Sequence, residues 1–161
     1  MPGEFSAVLA ALLLALMSYA LPVQAFDRAD RPDFETTSIS LDRGDGKVLT
    51  FSVEIALTPR QHAYGLMHVE AMPRDEGMLF VFQNTAVRSF WMKNTLIPLD
   101  MLFFDETGAL VTAIPGVPAL SLTPRFSTAG AKYVLELNAG AAAERGIGQW
   151  TRLLLPVTGV E

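Results

Sequence analysis

The sequence contains no cysteine. Disulfide staples, thiolate catalysis and thiolate metal ligation are therefore excluded, and a hydrophobic core must hold the fold unaided. Charge is sparse and tilted to one sign. The 12 Lys and Arg stand against 17 Asp and Glu, for a formal net charge of -5, and the basic residues are scattered singly. That distribution lacks the basic stripe on which nucleic acids bind, so nucleic acid is not an expected partner. Long apolar runs are missing too. The unbroken stretch of Ala, Val and Leu from Ala7 to Leu16 falls well short of the ~20 residues that a membrane-spanning helix needs. No internal repeat is visible, and no Ser, His and Asp arrangement for nucleophilic catalysis stands out.

The short apolar stretch suits an export leader instead. It is followed by Val23-Gln24-Ala25, whose small residue closes a site that a signal peptidase accepts, although Glu4 stands where a leader usually carries Lys or Arg. The sequence thus predicts a signal peptide over residues 1–25 and an exported chain, in the periplasm or outside the cell, with no transmembrane segment after cleavage. Asp27, Arg28, Asp30, Arg31, Pro32 and Asp33 crowd the next stretch, which reads as a solvated tether over residues 26–35. The rest, residues 36–161, suits a single β-rich domain.

Within that domain the patterns are mostly those of strands. Thr36 to Leu41 and Val48 to Ala56 flank the polar turn Asp42-Arg43-Gly44-Asp45-Gly46-Lys47 and read as a hairpin. Thr58-Pro59-Arg60-Gln61 supplies an N-cap hydroxyl, a proline at the first helical position and a glutamine at the third, predicting a capped helix from Pro59 to about Met67. Gly65 within it suggests a close backbone approach. Met78 to Phe82 is a continuous apolar run, the mark of a strand buried on both faces at a sheet centre. Val87 to Met92, Pro98 to Phe104 and Leu110 to Ile114 continue as a predicted meander of antiparallel strands. Pro115 to Ala131 is a long loop suited to binding or to covering one end of the core. Lys132 to Asn138 and Thr151 to Val157 are further strands, separated by a helical turn from Ala141 to Arg145. The expected fold class is mainly β: a small antiparallel β-sandwich or barrel with two short helices.

Three segments carry a family likeness: Gly65-Leu66-Met67, Asp75 to Phe82, and Phe90-Trp91-Met92-Lys93-Asn94-Thr95-Leu96-Ile97-Pro98-Leu99-Asp100. With Asp105 to Gly108, Val134 to Leu137 and Ala139-Gly140, the chain resembles the family of domain of unknown function number 192 from about Phe51 to Val157. The resemblance implies a small, exported prokaryotic protein with a jelly-roll-like β fold, and it implies no activity, substrate or cofactor. Some relatives carry cysteines in the loop where this chain has Pro118, Ser121 and Thr123, so no thiol role transfers.

Two breaches of the apolar pattern are candidates for chemistry. The first is Trp91, Lys93, Asn94, Thr95 and Asp100: an aromatic wall, then amine, amide and hydroxyl groups, then a carboxylate between Leu99 and Met101. This set can grip a small polar ligand or an envelope protein. Its plain alternative is an Asp100 that pins the turn through Lys93 or the Asn94 amide. The second is Glu136, flanked by Leu135 and Leu137. If Asp100 and Glu136 met in one cleft, they could act as an acid and base pair on an envelope glycan; exposure beside Lys132 is the plainer reading. Met67, Met72, Met78, Met92 and Met101 with His62 and His68 offer thioether and imidazole ligands of the kind that favour copper. Methionine also fills cores, and the two histidines diverge on a helix, so no metal or other cofactor is expected. Trp150 and Arg125-Phe126 either stack on a ligand or cover the core. A non-catalytic binding domain is the favoured reading, with a glycan hydrolase and a copper handler as alternatives.

Overall fold

Strand alternation begins where the acidic tether ends. In this computed structural model, which describes residues 30–156, Glu35–Asp42 (β1) and Val48–Ala56 (β2) pair antiparallel from Glu35 opposite Ile55 to Asp42 opposite Val48. Phe51, Val53 and Ile55 are buried on one face of β2, as a period of two requires. The signal peptide expected over residues 1–25 and the first part of the tether lie outside the described residues.

A helix follows, Pro59–Tyr64 (α1). Its capping box is complete: the Gln61 N–H donates to Thr58 Oγ1 at 3.2 Å, and the Thr58 N–H donates to Gln61 Oε1 at 2.9 Å. The helix stops short of the expected Met67 because Gly65 turns to a φ of 52°. A Cβ at Gly65 would lie 3.2 Å from the Phe80 ring, so the glycine lets the end of α1 press onto the sheet.

The remaining elements are Glu76–Ala86 (β3), Ser89–Phe90 (β4), Leu99–Phe104 (β5), Leu110–Val117 (β6), Arg125–Phe126 (β7), Ala131–Asn138 (β8), Ala141–Arg145 (α2) and Arg152–Leu153 (β9). Seven strands form one sheet in the order β6-β5-β8-β3-β2-β1-β9, with β3 at its centre. The expected meander is corrected in two places. β2 and β3 run parallel, joined through α1, and β8 inserts between β3 and β5 with antiparallel pairing to both. The expected strand over Val87 to Met92 shrinks to β4, which pairs only with β7 in a separate ribbon. The long loop causes this: it folds back on the segment, with Met92 N donating to Ser121 O and Ser127 N to Arg88 O.

The sheet curls until its edges touch at one corner. Ala109 bridges Arg152, the Leu110 N–H donates to Thr151 O at 3.1 Å and the Leu153 N–H to Gly108 O at 2.7 Å. Only glycine fits at 108, where φ is +80° and a Cβ would stand 2.1 Å from the Leu153 carbonyl oxygen. Each face of the sheet carries its own core. One holds Leu41, Phe51, Leu79, Leu102, Phe104, Leu135 and Leu137, with Ala141 and Ala142 of α2 packed there. The other holds Leu66, Met78, Phe80, Met92, Met101, Phe103 and Val134, beneath α1 and the long loop.

Candidate functional site

On the second face, α1, the end of β3 and the chain after β4 enclose a cleft of about 420 Å³. Its walls are aromatic. Phe90 meets Phe80 edge-on at 4.9 Å between centroids and Phe103 at 5.8 Å, so three rings brace one another in the favoured T-shaped geometry. Phe82 lies between the His62 ring, 4.4 Å away, and the Arg88 guanidinium, 3.9 Å from its centroid. The helix cap fixes His62 in place. Its Nε2 is 3.0 Å from Ala56 O and 3.1 Å from Val81 O. Both partners only accept, so Nε2 carries the proton and a neutral ring keeps its lone pair on Nδ1.

Glu136 belongs to this cleft. It projects from β8 between Met78 and Met101, its cross-strand neighbours, on the face that also buries Val134. The residue is 4% exposed, and burial pushes its pKa from 4.5 up to about 8. A carboxyl in apolar surroundings favours its neutral form because the charged form loses its hydration. At neutral pH it is an acid holding its proton.

Asp100 has the opposite environment. It too is fully buried, but Oδ1 accepts from the N–H groups of Gly116 at 2.8 Å and Gly140 at 3.1 Å, and Oδ2 from the Ala142 N–H at 2.9 Å. Gly116 lies where the register between β5 and β6 slips, and α2 has no cap of its own side chains. One carboxylate therefore satisfies the donor freed by a bulge and the orphan donors at a helix start. Along β5, Met101 and Phe103 share the cleft face while Leu102 and Phe104 point the other way. Asp100 alternates with Met101 and so faces away from Glu136. The two carboxyl groups stand on opposite sides of the sheet, and the acid and base pair considered for a glycan is not assembled.

The other sequence candidates divide. Trp91, Lys93 and Thr95 line the cleft with Glu136. Trp91 is half exposed at the mouth, with Lys93 Nζ 5.5 Å from its ring centroid. Thr95 is buried, and its backbone joins both neighbours, donating to Met92 O and accepting from Leu120 N. Asn94 does not line the cleft; it fastens the turn to the segment that follows α1. Its carbonyl accepts from the His68 N–H at 2.9 Å, and its Nδ2 lies 3.8 Å from Met67 Sδ. Met78, Met92 and Met101 are core residues with no exposure. Among the described residues no three His, Asp or Glu cluster as a metal site. The rings of Phe80 and Phe82 as cleft wall and the place of His62 were missed from sequence, where the apolar run and capping box were visible but not their meeting.

Fold and site together define a small β-domain in which an aromatic-walled cleft reaches a buried carboxyl. The chain belongs to the family of domain of unknown function 192, described as an uncharacterized ACR, whose profile matches residues 40–154. A Sinorhizobium meliloti protein of known crystal structure, provisionally called a transcription regulator, is 36% identical with a TM-score of 0.74, over 76% of this chain and 95% of that one. A protein of unknown function from Novosphingobium aromaticivorans is 25% identical with a TM-score of 0.72, over 80% of this chain and 98% of that one. No curated protein matches the chain.

Proposed function

We propose that this is an exported, non-catalytic binding domain that takes a small ligand into the cleft between α1, β3 and the turn after Trp91. The observation that carries this reading is the cleft itself: apolar rings for most of its wall and a few polar groups, Thr95, His62 and Glu136, placed to orient what enters. Of the residues singled out in the sequence, Trp91, Lys93, Thr95 and Glu136 serve as ligand contacts, while Asn94 and Asp100 hold the frame around them. The apolar leader supports export, and no described helix is long and apolar enough to cross a membrane. The regulator name given to the Sinorhizobium protein raises nucleic acid as a partner, but a net charge of -5 with scattered basic residues favours a small ligand.

The test uses Trp91 as its reporter. The chain has two tryptophans, and Trp150→Phe removes the other, which is 73% exposed. Fluorescence and melting temperature of that variant are followed against cell-wall fragments, sugars, short peptides and amines. A ligand should quench or shift the Trp91 emission and raise the melting temperature together. Ser89→Trp, which sets an indole at the cleft's mouth, should abolish the thermal shift. A screen in which no compound moves either signal would end the proposal.

A further inference from the structure

Among the described residues nothing of the chain holds the Glu136 carboxyl. It is 4% exposed, yet it has neither a hydrogen bond nor an ion pair. The titratable groups lining the same cleft are His62 and Tyr64 from α1 and Lys93 from the turn; the strands contribute Phe80 and Phe82, with Met78 and Met101 alongside. His62 spends its proton on two backbone carbonyls, and the Lys93 ammonium sits over the Trp91 ring at the rim. Among the described residues no cation pairs with the acid.

A neutral ligand gives no reason for an acid at this position. A glutamine of the same length would offer donor and acceptor without the stability lost at neutral pH by holding a proton that the unfolded chain releases. A carboxyl surpasses an amide only toward a partner that brings positive charge and N–H groups. The walls suit the same partner, because ring faces attract a desolvated cation. We propose that the cleft takes a small organic ammonium on an apolar group, whose N–H groups donate to Glu136 among the rings of Phe80, Phe90 and Trp91. This rests on the binding reading above and names the chemical class of its ligand. Before binding, burial keeps the acid protonated at neutral pH. The arriving ammonium stabilises the carboxylate, and the carboxyl proton leaves to solvent, so charge and atoms balance.

Calorimetric titration of the purified protein with benzylamine, benzyl alcohol and benzoate at about pH 7 tests this, each run in two buffers of different ionisation enthalpy. Benzylamine should bind roughly tenfold or more tighter than benzyl alcohol, benzoate should not bind, and close to one proton should be released per benzylamine. Release should fade at about pH 9, where the acid is already ionised. Glu136→Gln should lose both the preference for benzylamine and the released proton, while Lys47→Gln, exposed in the turn between β1 and β2 and outside the cleft lining, keeps them. Proton release is read on the unaltered protein and does not depend on any variant folding. Benzyl alcohol binding as tightly as benzylamine, or benzylamine binding without proton release, overturns the ammonium assignment and leaves the cleft as a binding site. No binding by any of the three overturns the assignment as well, and the broader screen then decides the cleft alone.

Discussion

Replacing Glu136 with glutamine keeps the length of the side chain and removes only its acid. In the folded protein burial raises the pKa of that acid from 4.5 to about 8; in the unfolded chain it titrates at its ordinary value. Between those two pH values the folded state holds a proton that the unfolded state has released. The stability linked to the protonated acid is complete below the unfolded value and is lost as pH rises through the folded one. At about 1.4 kcal/mol for each tenfold change in proton affinity, the full interval amounts to about 5 kcal/mol, an upper figure because water entering an open cleft eases the ionised state. The wild type should therefore lose several kcal/mol between about pH 5 and 9, and Glu136→Gln should lose far less. Urea unfolding followed by circular dichroism across that window measures both, with equal slopes confirming that the same surface unfolds. Parallel stability profiles for wild type and variant would refute a carboxyl buried without a partner.

Asp100→Asn should destabilise the fold by about 2–4 kcal/mol, since an amide turns an N–H toward donors that a carboxylate accepts; a loss under about 0.5 kcal/mol in urea would contradict the three-donor clamp. Gly108→Ala should cost more than about 2 kcal/mol by forcing the Leu153 carbonyl away and straining a positive φ, and an unchanged melting temperature would show that the sheet is not closed at that corner. Mature protein from its native host should begin at Phe26, and mass spectrometry finding Met1 in soluble cytosolic protein would rule export out.

How far the sequence speaks depends on how far apart the interacting groups lie. The capping box of α1 was readable because Thr58 and Gln61 are three residues apart, and β2 because its alternation is local. The insertion of β8 between β3 and β5 was not, because register between distant strands leaves no mark on either one. Asp100 was singled out correctly as a breach of an apolar strand, but its partners lie 16, 40 and 42 residues away and are backbone N–H groups. Every residue but proline has such a group, so no side-chain motif could announce the clamp. The cleft stayed hidden for a related reason. Phe80, Phe82 and Phe90 read as ordinary strand residues until the turn at Gly65 and the long loop bring α1 and Trp91 over them.

Asp100 and Glu136 look alike in sequence, each a carboxylate between apolar neighbours on an apolar strand, and the fold treats them oppositely. A buried charge is tolerated where donors converge on it, and around Asp100 the bulge of β6 and the start of α2 supply them. Among the described residues no comparable donors approach Glu136, and its neighbours Met78 and Met101 are apolar on both sides. If core stability alone determined position 136, a leucine or methionine would fill it without a desolvation penalty, and the face would remain continuous with Val134. The acid weakens the fold where it stands at neutral pH, and it opens on a cleft rather than on packed core. A residue that costs stability and breaks the pattern of its strand is where function is expected to lie. Asp100 satisfies the backbone of this domain, and that leaves Glu136 as the carboxyl with capacity for a ligand.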